Sequence, residues 1–232
     1  MKIILLPGMD GTGLLFKPFL SLLSIPHEII SFPSSEDQTY ESIYTHVKSC
    51  MPAEEFFVIA ESFSGPLAAR MALENLENMK GVVFVATFLS CPSKILVRLA
   101  KFLPLKFLLK FPLTPKLVQK FLIGNKFPLE LFYDAVAMVS DSELKSRLTT
   151  LEQLDEKPNK IFSYMPALYL CANNDLLVSK KHIKEFISGF PNISVSHVQG
   201  THFLLQSNPQ ACAELISNFR DTILFSCRFK EL

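Results

Sequence analysis

FFVIAESFSGPLAARMA, residues 56–72, decides how this chain is read. Five apolar residues run directly into Glu-Ser-Phe-Ser-Gly, and a helix-like run follows without a break. A continuous apolar run of this kind reads as a strand covered on both faces. Pro66 suits the first turn of the helix, where its missing N–H is not needed. The turn between strand and helix holds Ser62, Ser64 and Gly65, and small residues belong where the two elements are pressed together.

Further runs of similar character are KIILL (2–6), HEIISF (27–32), GVVFVA (81–86), PALYLCA (166–172) and ISVSHV (193–198). Helical patterns separate them, roughly at 14–23, 40–50, 63–78, 179–188 and 208–224. This alternation predicts an α/β fold with a doubly wound, mostly parallel six-stranded sheet. Ligand sites in such sheets lie at the carboxyl ends of the strands. One stretch breaks the pattern. Residues 88–160 carry no convincing strand and are punctuated by Pro92, Pro104, Pro112, Pro115 and Pro128. They are expected to form an all-helical insertion, with residues 1–87 and 161–232 as the core.

A strand-to-helix turn can carry a strained serine whose hydroxyl stands clear of the sheet, in the pattern G-x-S-x-G. Around Ser62 the glycine positions hold Ala60 and Ser64, both small and neither glycine. Around Ser64 they would hold Ser62 and Pro66. Ser62 is therefore expected as the nucleophile, with Ser64 as a small flank or helix cap. The alternative is an ordinary capped turn with no chemistry.

A serine hydroxyl becomes a nucleophile only when a base takes its proton and a third group orients that base. Asp175 lies in CANNDLLVS after the fifth strand, and His202 lies in VQGTHFLLQSNPQ after the sixth. Each has a plainer reading: Asp175 as a loop cap beside Asn173 and Asn174, His202 as a helix cap. Together they sit at strand ends on the rim that carries Ser62, in the chain order Ser, Asp, His. The other histidines, His27, His46, His182 and His197, lack such placement and read as structural or solvated. No metal-binding spacing is present, and no cofactor is expected.

At these residues the chain resembles the α/β hydrolases, over essentially its full length. In that resemblance LLPGMDGTG (5–13) is the oxyanion loop, AESFSG (60–65) the elbow, NNDLLV (173–178) the acid loop and GTHFLLQ (200–206) the histidine loop. The pattern departs at Pro7, where histidine often precedes the glycine, at Ala60 and Ser64, and in the absence of a hairpin ahead of the first strand. An oxyanion hole needs two N–H groups aimed at the developing charge. Those of Phe63 and Met9 are expected there, and Asp10 is expected to stabilise its own turn. The loop is neither G-x-G-x-x-G nor a P-loop, so a phosphate site is not expected.

Composition narrows the class. The chain has 232 residues, a formal charge of +1 and 49% hydrophobic residues, enough for one α/β domain with a sizeable core. Net charge points to no particular partner, and no nucleic-acid motif is present. Five scattered cysteines without a CxxC pair fit reduced thiols in a cytosol. MKIILLPGMDG is too soon interrupted for a signal peptide, and no apolar run reaches spanning length without a charge or proline.

The charge is unevenly spread. From Asn78 to Leu129 there is no Asp or Glu, while Lys80, Lys94, Arg98, Lys101, Lys106, Lys110, Lys116, Lys120 and Lys126 all fall there. Lys94, Arg98 and Lys101 would share one stripe of a helix, and Lys106 with Lys110 and Lys116 with Lys120 repeat the i, i+4 spacing. Apolar residues lie between them, so the insertion is expected to be basic on one side and apolar on the other. The lysines read as a solvated surface, as a docking face for an acidic partner, or as a membrane-surface lid. The resemblance places a lid at this point of the chain. It extends to small bacterial hydrolases that include pimeloyl-acyl-carrier-protein methyl ester carboxylesterases of biotin synthesis, in which an acidic acyl carrier protein presents the ester. The expected activity is a cytosolic serine carboxylesterase. A membrane-surface lipase, an acyltransferase and a non-catalytic binding protein remain open.

Overall fold

The computed structural model describes residues 1–102, 116, 119–120, 124, 127–154 and 163–228. Six strands form one sheet: β1 (Lys2–Leu6), β2 (His27–Ile29), β3 (Phe56–Glu61), β4 (Met79–Val85), β5 (Ala167–Ala172) and β6 (Ile193–Val198). Their order is β2-β1-β3-β4-β5-β6, and every pairing is parallel. The order reverses between β1 and β3, which is where a doubly wound sheet opens a crevice at its carboxyl edge. The loop at residues 7–13 leaves β1 and the Ser62 turn leaves β3, so the two meet across that crevice.

The continuous apolar runs follow from cover on both faces. All six residues of β3 and of β5 are buried. On one face Ile4, Val58 and Phe84 pack against α2 (Tyr40–Ser49), α3 (Gly65–Leu73) and α7 (Ile183–Gly189). On the other, Ile3, Phe57 and Val83 pack against α1 (Lys17–Leu20) and α9 (Pro209–Arg228). A short helix, α8 (Leu204–Ser207), precedes α9. Between β4 and β5 the described residues hold no strand. They hold α4 (Lys94–Phe102), α5 (Leu129–Met138) and α6 (Asp141–Glu152).

Three elements differ from the sequence expectation. β2 ends at Ile29 rather than at 32, because Phe32 N–H donates to the Gly11 carbonyl and the Ser31 hydroxyl to the Thr12 carbonyl. The chain leaves the ladder to buttress the loop after β1. The first helix is split into a 3-10 turn at Leu14–Phe16 and the four-residue α1. Helix α3 stops at Leu73, and Asn75 and Asn78 follow in left-handed conformations at φ 50° and 66°. Asn tolerates that region better than most residues and closes helices there.

Helix α3 starts tight against the end of β4. A Cβ built on Gly65 would run into the Thr87 side chain, with Cγ2 at 2.8 Å and Cβ at 2.9 Å. Gly65→Ala should therefore destabilise the protein by about 1–3 kcal/mol, the usual range for overpacking a tight contact. A urea titration checks this: the midpoint should fall with an unchanged slope, and an unmoved midpoint would show that Thr87 yields without cost.

Candidate active site

Ser62 follows β3 directly and has φ 49°, in the left-handed region. A residue with a Cβ pays about 1–2 kcal/mol for that conformation. The neighbours hold it in place. The Thr87 hydroxyl donates to the Ser62 carbonyl, and the Ser64 hydroxyl donates to the Pro7 carbonyl. The Tyr40 hydroxyl donates to the Phe63 carbonyl at 3.1 Å, and its ring stacks on Phe63 at 4.7 Å. Ser64 stands just before α3 but makes no side-chain cap. Its hydroxyl ties the elbow to the loop after β1 instead.

The strand ends bring the other two residues to Ser62. His202 Nε2 lies 2.8 Å from Ser62 Oγ, and His202 Nδ1 lies 2.9 Å from Asp175 Oδ2. Asp175 Oδ1 also accepts from the N–H groups of Leu177 and Val178, each at 2.8 Å. Asp175 thus caps its loop and orients the histidine at once. With its Nδ1 proton donated to Asp175, His202 turns a lone pair on Nε2 toward the serine hydroxyl. That is the tautomer needed to take the proton. The side chains of both residues are 6% exposed, so water competes little for these bonds.

The loop after β1 reaches the same point. A Cβ built on Gly8 would lie 3.7 Å from Ser62 Cβ. Phe63 is in the first turn of its helical segment, where N–H groups lack a preceding carbonyl. Asp10 stabilises the turn, accepting from Thr12 N–H at 3.0 Å and from the Thr12 hydroxyl at 2.5 Å.

The sequence matches no family model and no curated protein. The structure matches solved ones over nearly its whole length. It is similar to a lipase-esterase related protein from Clostridium acetobutylicum ATCC 824, with TM-score 0.75 and 18% identity over 94% of this chain and 93% of that one. It is also similar to the enol-lactonase from Burkholderia xenovorans LB400, with TM-score 0.76 and 13% identity over 95% of this chain and 91% of that one. An esterase from Exiguobacterium antarcticum gives TM-score 0.76 and 12% identity over 95% and 92%. The chain has the α/β-hydrolase fold.

Within that fold, the relay from Ser62 through His202 to Asp175 is the geometry of a serine hydrolase. The remaining histidines are elsewhere: His27 faces the Ile25 carbonyl, His46 the Ser31 carbonyl, His182 is buried beside Glu185, and His197 is exposed on β6. Among the described residues no cluster of His, Cys, Asp or Glu is arranged to hold a metal, and no helix is long and apolar enough to cross a membrane.

Within the stripe on α4, Lys94 and Arg98 are exposed, Lys101 is partly buried, and Arg98 and Lys101 are paired with an acid. Arg98 Nε and Lys101 Nζ clamp Glu152 on α6 at 2.8 and 2.7 Å. The outer face of α4 is apolar: Ile95 is 74% and Phe102 81% exposed, with Leu96 and Leu99 also exposed. The acid that pairs with Arg98 and Lys101 lies beyond the acid-free stretch, so the stretch alone does not reveal it. Lys94, Lys116 and Lys120 are exposed, and Lys106 and Lys110 lie outside the described residues.

Glu61, directly before Ser62, is a buried acid that the sequence does not single out. It is 4% exposed and accepts from Gln206 Nε2 at 3.2 Å, joining the nucleophile strand to α8, the helix after His202. Burial pushes its carboxyl up to about 8, opposed by the Gln206 bond and reinforced by the charge of Asp10. At pH 7 the carboxyl is therefore mostly protonated. The unfolded chain releases this proton near 4.5, so the native state is favoured below that value and loses stability as pH rises to about 8. Glu61→Gln removes the titration. Thermal melts from pH 5 to 8 should show wild type falling relative to the variant, by on the order of 4 kcal/mol in all. Parallel curves would contradict a neutral buried acid.

Proposed function

We propose that this protein is a serine carboxylesterase, and the Ser62–His202–Asp175 relay is the observation that carries the reading. Ser62 Oγ attacks the ester carbonyl while His202 Nε2 takes its proton. The N–H groups of Met9 and Phe63 hold the oxyanion. His202 then protonates the departing alcohol, and water, deprotonated by the same histidine, releases the acid. Asp175 holds the imidazole and stabilises its cationic form. The likeness to an esterase and to a lipase-esterase related protein supports ester bonds as the target.

For the natural substrate we infer an acyl ester borne on an acidic acyl carrier protein, such as a pimeloyl-carrier methyl ester of biotin synthesis. The acid-free, lysine-rich stretch from Asn78 to Leu129 supports this, with Lys94, Lys116 and Lys120 exposed. The second reading is a lipase working at a lipid surface, favoured by the exposed Ile95, Leu96, Leu99 and Phe102 on α4. In either case the helices between β4 and β5 act as the lid, in a cytosolic enzyme.

Ser62→Ala should lower kcat on p-nitrophenyl esters by several orders of magnitude, while Ser64→Ala keeps a folded enzyme with most of its activity. Asp175→Asn should cost about four decades through the wrong imidazole tautomer. A Ser62→Ala protein that turns over normally would overturn the assignment. The triple reversal Lys94→Glu, Lys116→Glu and Lys120→Glu separates the substrates. It should lower kcat/KM for a carrier-bound ester by roughly ten-fold at low salt, with the gap closing as salt rises, and leave a short neutral ester untouched. Unchanged carrier kinetics together with tight binding of wild type to phospholipid vesicles would favour the lipid surface.

A further inference from the structure

Arg147 is a buried cation on α6, 2% exposed, with no carboxylate within ion-pair distance among the described residues. Its partners are neutral. Nη1 donates to the carbonyls of Met9 at 2.9 Å and Asp10 at 2.8 Å, and Nε donates to Gln38 Oε1 at 2.8 Å. The guanidinium also lies 5.2 Å from the centre of the Phe32 ring. Gly11 makes room for it: at φ 69°, a Cβ there would meet Nη1 at 2.6 Å and Phe32 Cδ2 at 2.7 Å.

Gln38, fully buried, braces the arrangement. It accepts from Arg147, takes the Thr150 hydroxyl on its carbonyl at 3.0 Å, and donates through Nε2 to the carbonyls of Pro33 and Ser35. The nearest acid on α6, Glu143, is engaged in a capping box with Ser140 and accepts from Ser34. Burial lowers the Arg147 pKa, opposed by Glu143 and Asp10.

A neutral apolar side chain would pin α6 to the core without desolvating a charge. The charge has been placed instead on two successive carbonyls of the loop after β1. Pinning both fixes the two peptide planes that follow Met9, and the Gly11 N–H at the end of them donates to the Gly8 carbonyl at 3.0 Å, which holds the Gly8–Met9 peptide that carries the Met9 N–H. It also sets a positive charge against the same turn. We propose that Arg147 is a positioning residue for the oxyanion hole, through which helix α6 of the insertion holds the Met9 loop in its catalytic form. This rests on the reading of Ser62 as nucleophile and Met9 as oxyanion donor. It makes the hole conditional on the docking of the insertion.

The test compares wild type, Ser62→Ala, Arg147→Met and Arg147→Lys on a p-nitrophenyl ester, with an aliphatic trifluoromethyl ketone as probe. The ketone adds to the serine: the Oγ–carbon bond forms, the proton passes to His202, and the carbonyl electron pair becomes the oxyanion. Loss of turnover in Ser62→Ala establishes the underlying reading independently of Arg147; full turnover there defeats that reading rather than the positioning role alone. Arg147→Met should then lose about 10- to 1,000-fold in kcat, the range for a compromised oxyanion donor, with KM within two-fold. Ketone affinity should fall in parallel. Arg147→Lys should recover part of the loss, since it restores the charge without the fork. A folded Arg147→Met with kcat within two-fold of wild type, or with a loss confined to KM and unchanged ketone affinity, overturns the proposal. If Arg147→Met does not fold, Gln38→Met leaves the guanidinium in place with Nε unanchored. A several-fold kcat loss at constant KM is then expected, and unchanged kcat in that folded variant overturns the proposal equally.

Discussion

The left-handed backbone of Ser62 is the constraint on which the site depends. At φ 49° the chain turns from β3 into α3 within three residues and leaves the serine side chain at the carboxyl edge of the sheet. The conformation is unfavourable alone and is held by bonds from three directions. Thr87 reaches from the end of β4, Tyr40 from α2, and Ser64 reaches out to the loop after β1. Each of these is a net contribution of about 0.5–1.5 kcal/mol, so together they offset the strain. Gly65 completes the turn by leaving the space that Thr87 fills.

Those bonds also align separate parts of the active site. Ser64 binds Pro7, so the elbow and the loop after β1 cannot drift apart without breaking a buried bond. Glu61 binds Gln206, so the strand before the nucleophile is joined to the helix after the histidine. Arg147 brings the insertion into the same assembly through Met9 and Asp10. The parallel sheet makes this economical. Every loop at its carboxyl edge emerges on one rim, and the reversal of strand order between β1 and β3 opens the crevice there.

Much of this is legible in the sequence, and the boundary is physical. FFVIA reads as a strand because cover on both faces demands uninterrupted apolar residues. Ser62, Asp175 and His202 can be picked out because serine chemistry needs a base and an orienting acid at strand ends, in a known chain order. What stays hidden depends on distant partners. Arg147 and Gln38 are 109 residues apart, and Glu61 and Gln206 are 145 apart. Arg147 in isolation looks like a solvated residue on a helix with Glu143 one turn earlier. Arg98 and Lys101 look unpaired until Glu152, 54 and 51 residues away, is found between them. Ser64 shows the same limit at short range: its position suggests a helix cap, yet its hydroxyl finds the Pro7 carbonyl on another strand's loop.

The central claim is that Ser62 forms a covalent acyl intermediate. The most direct measurement is to mix the enzyme with an activated ester of a bulky, slowly hydrolysed acid, quench in acid and map the peptides by mass spectrometry. The account predicts one acyl group on Ser62, absent from Ser62→Ala, appearing in a burst equal to the enzyme and decaying at the rate of steady-state turnover. An acyl group on Ser64 or on any other residue at that rate, or full turnover with no covalent adduct at all, would contradict it.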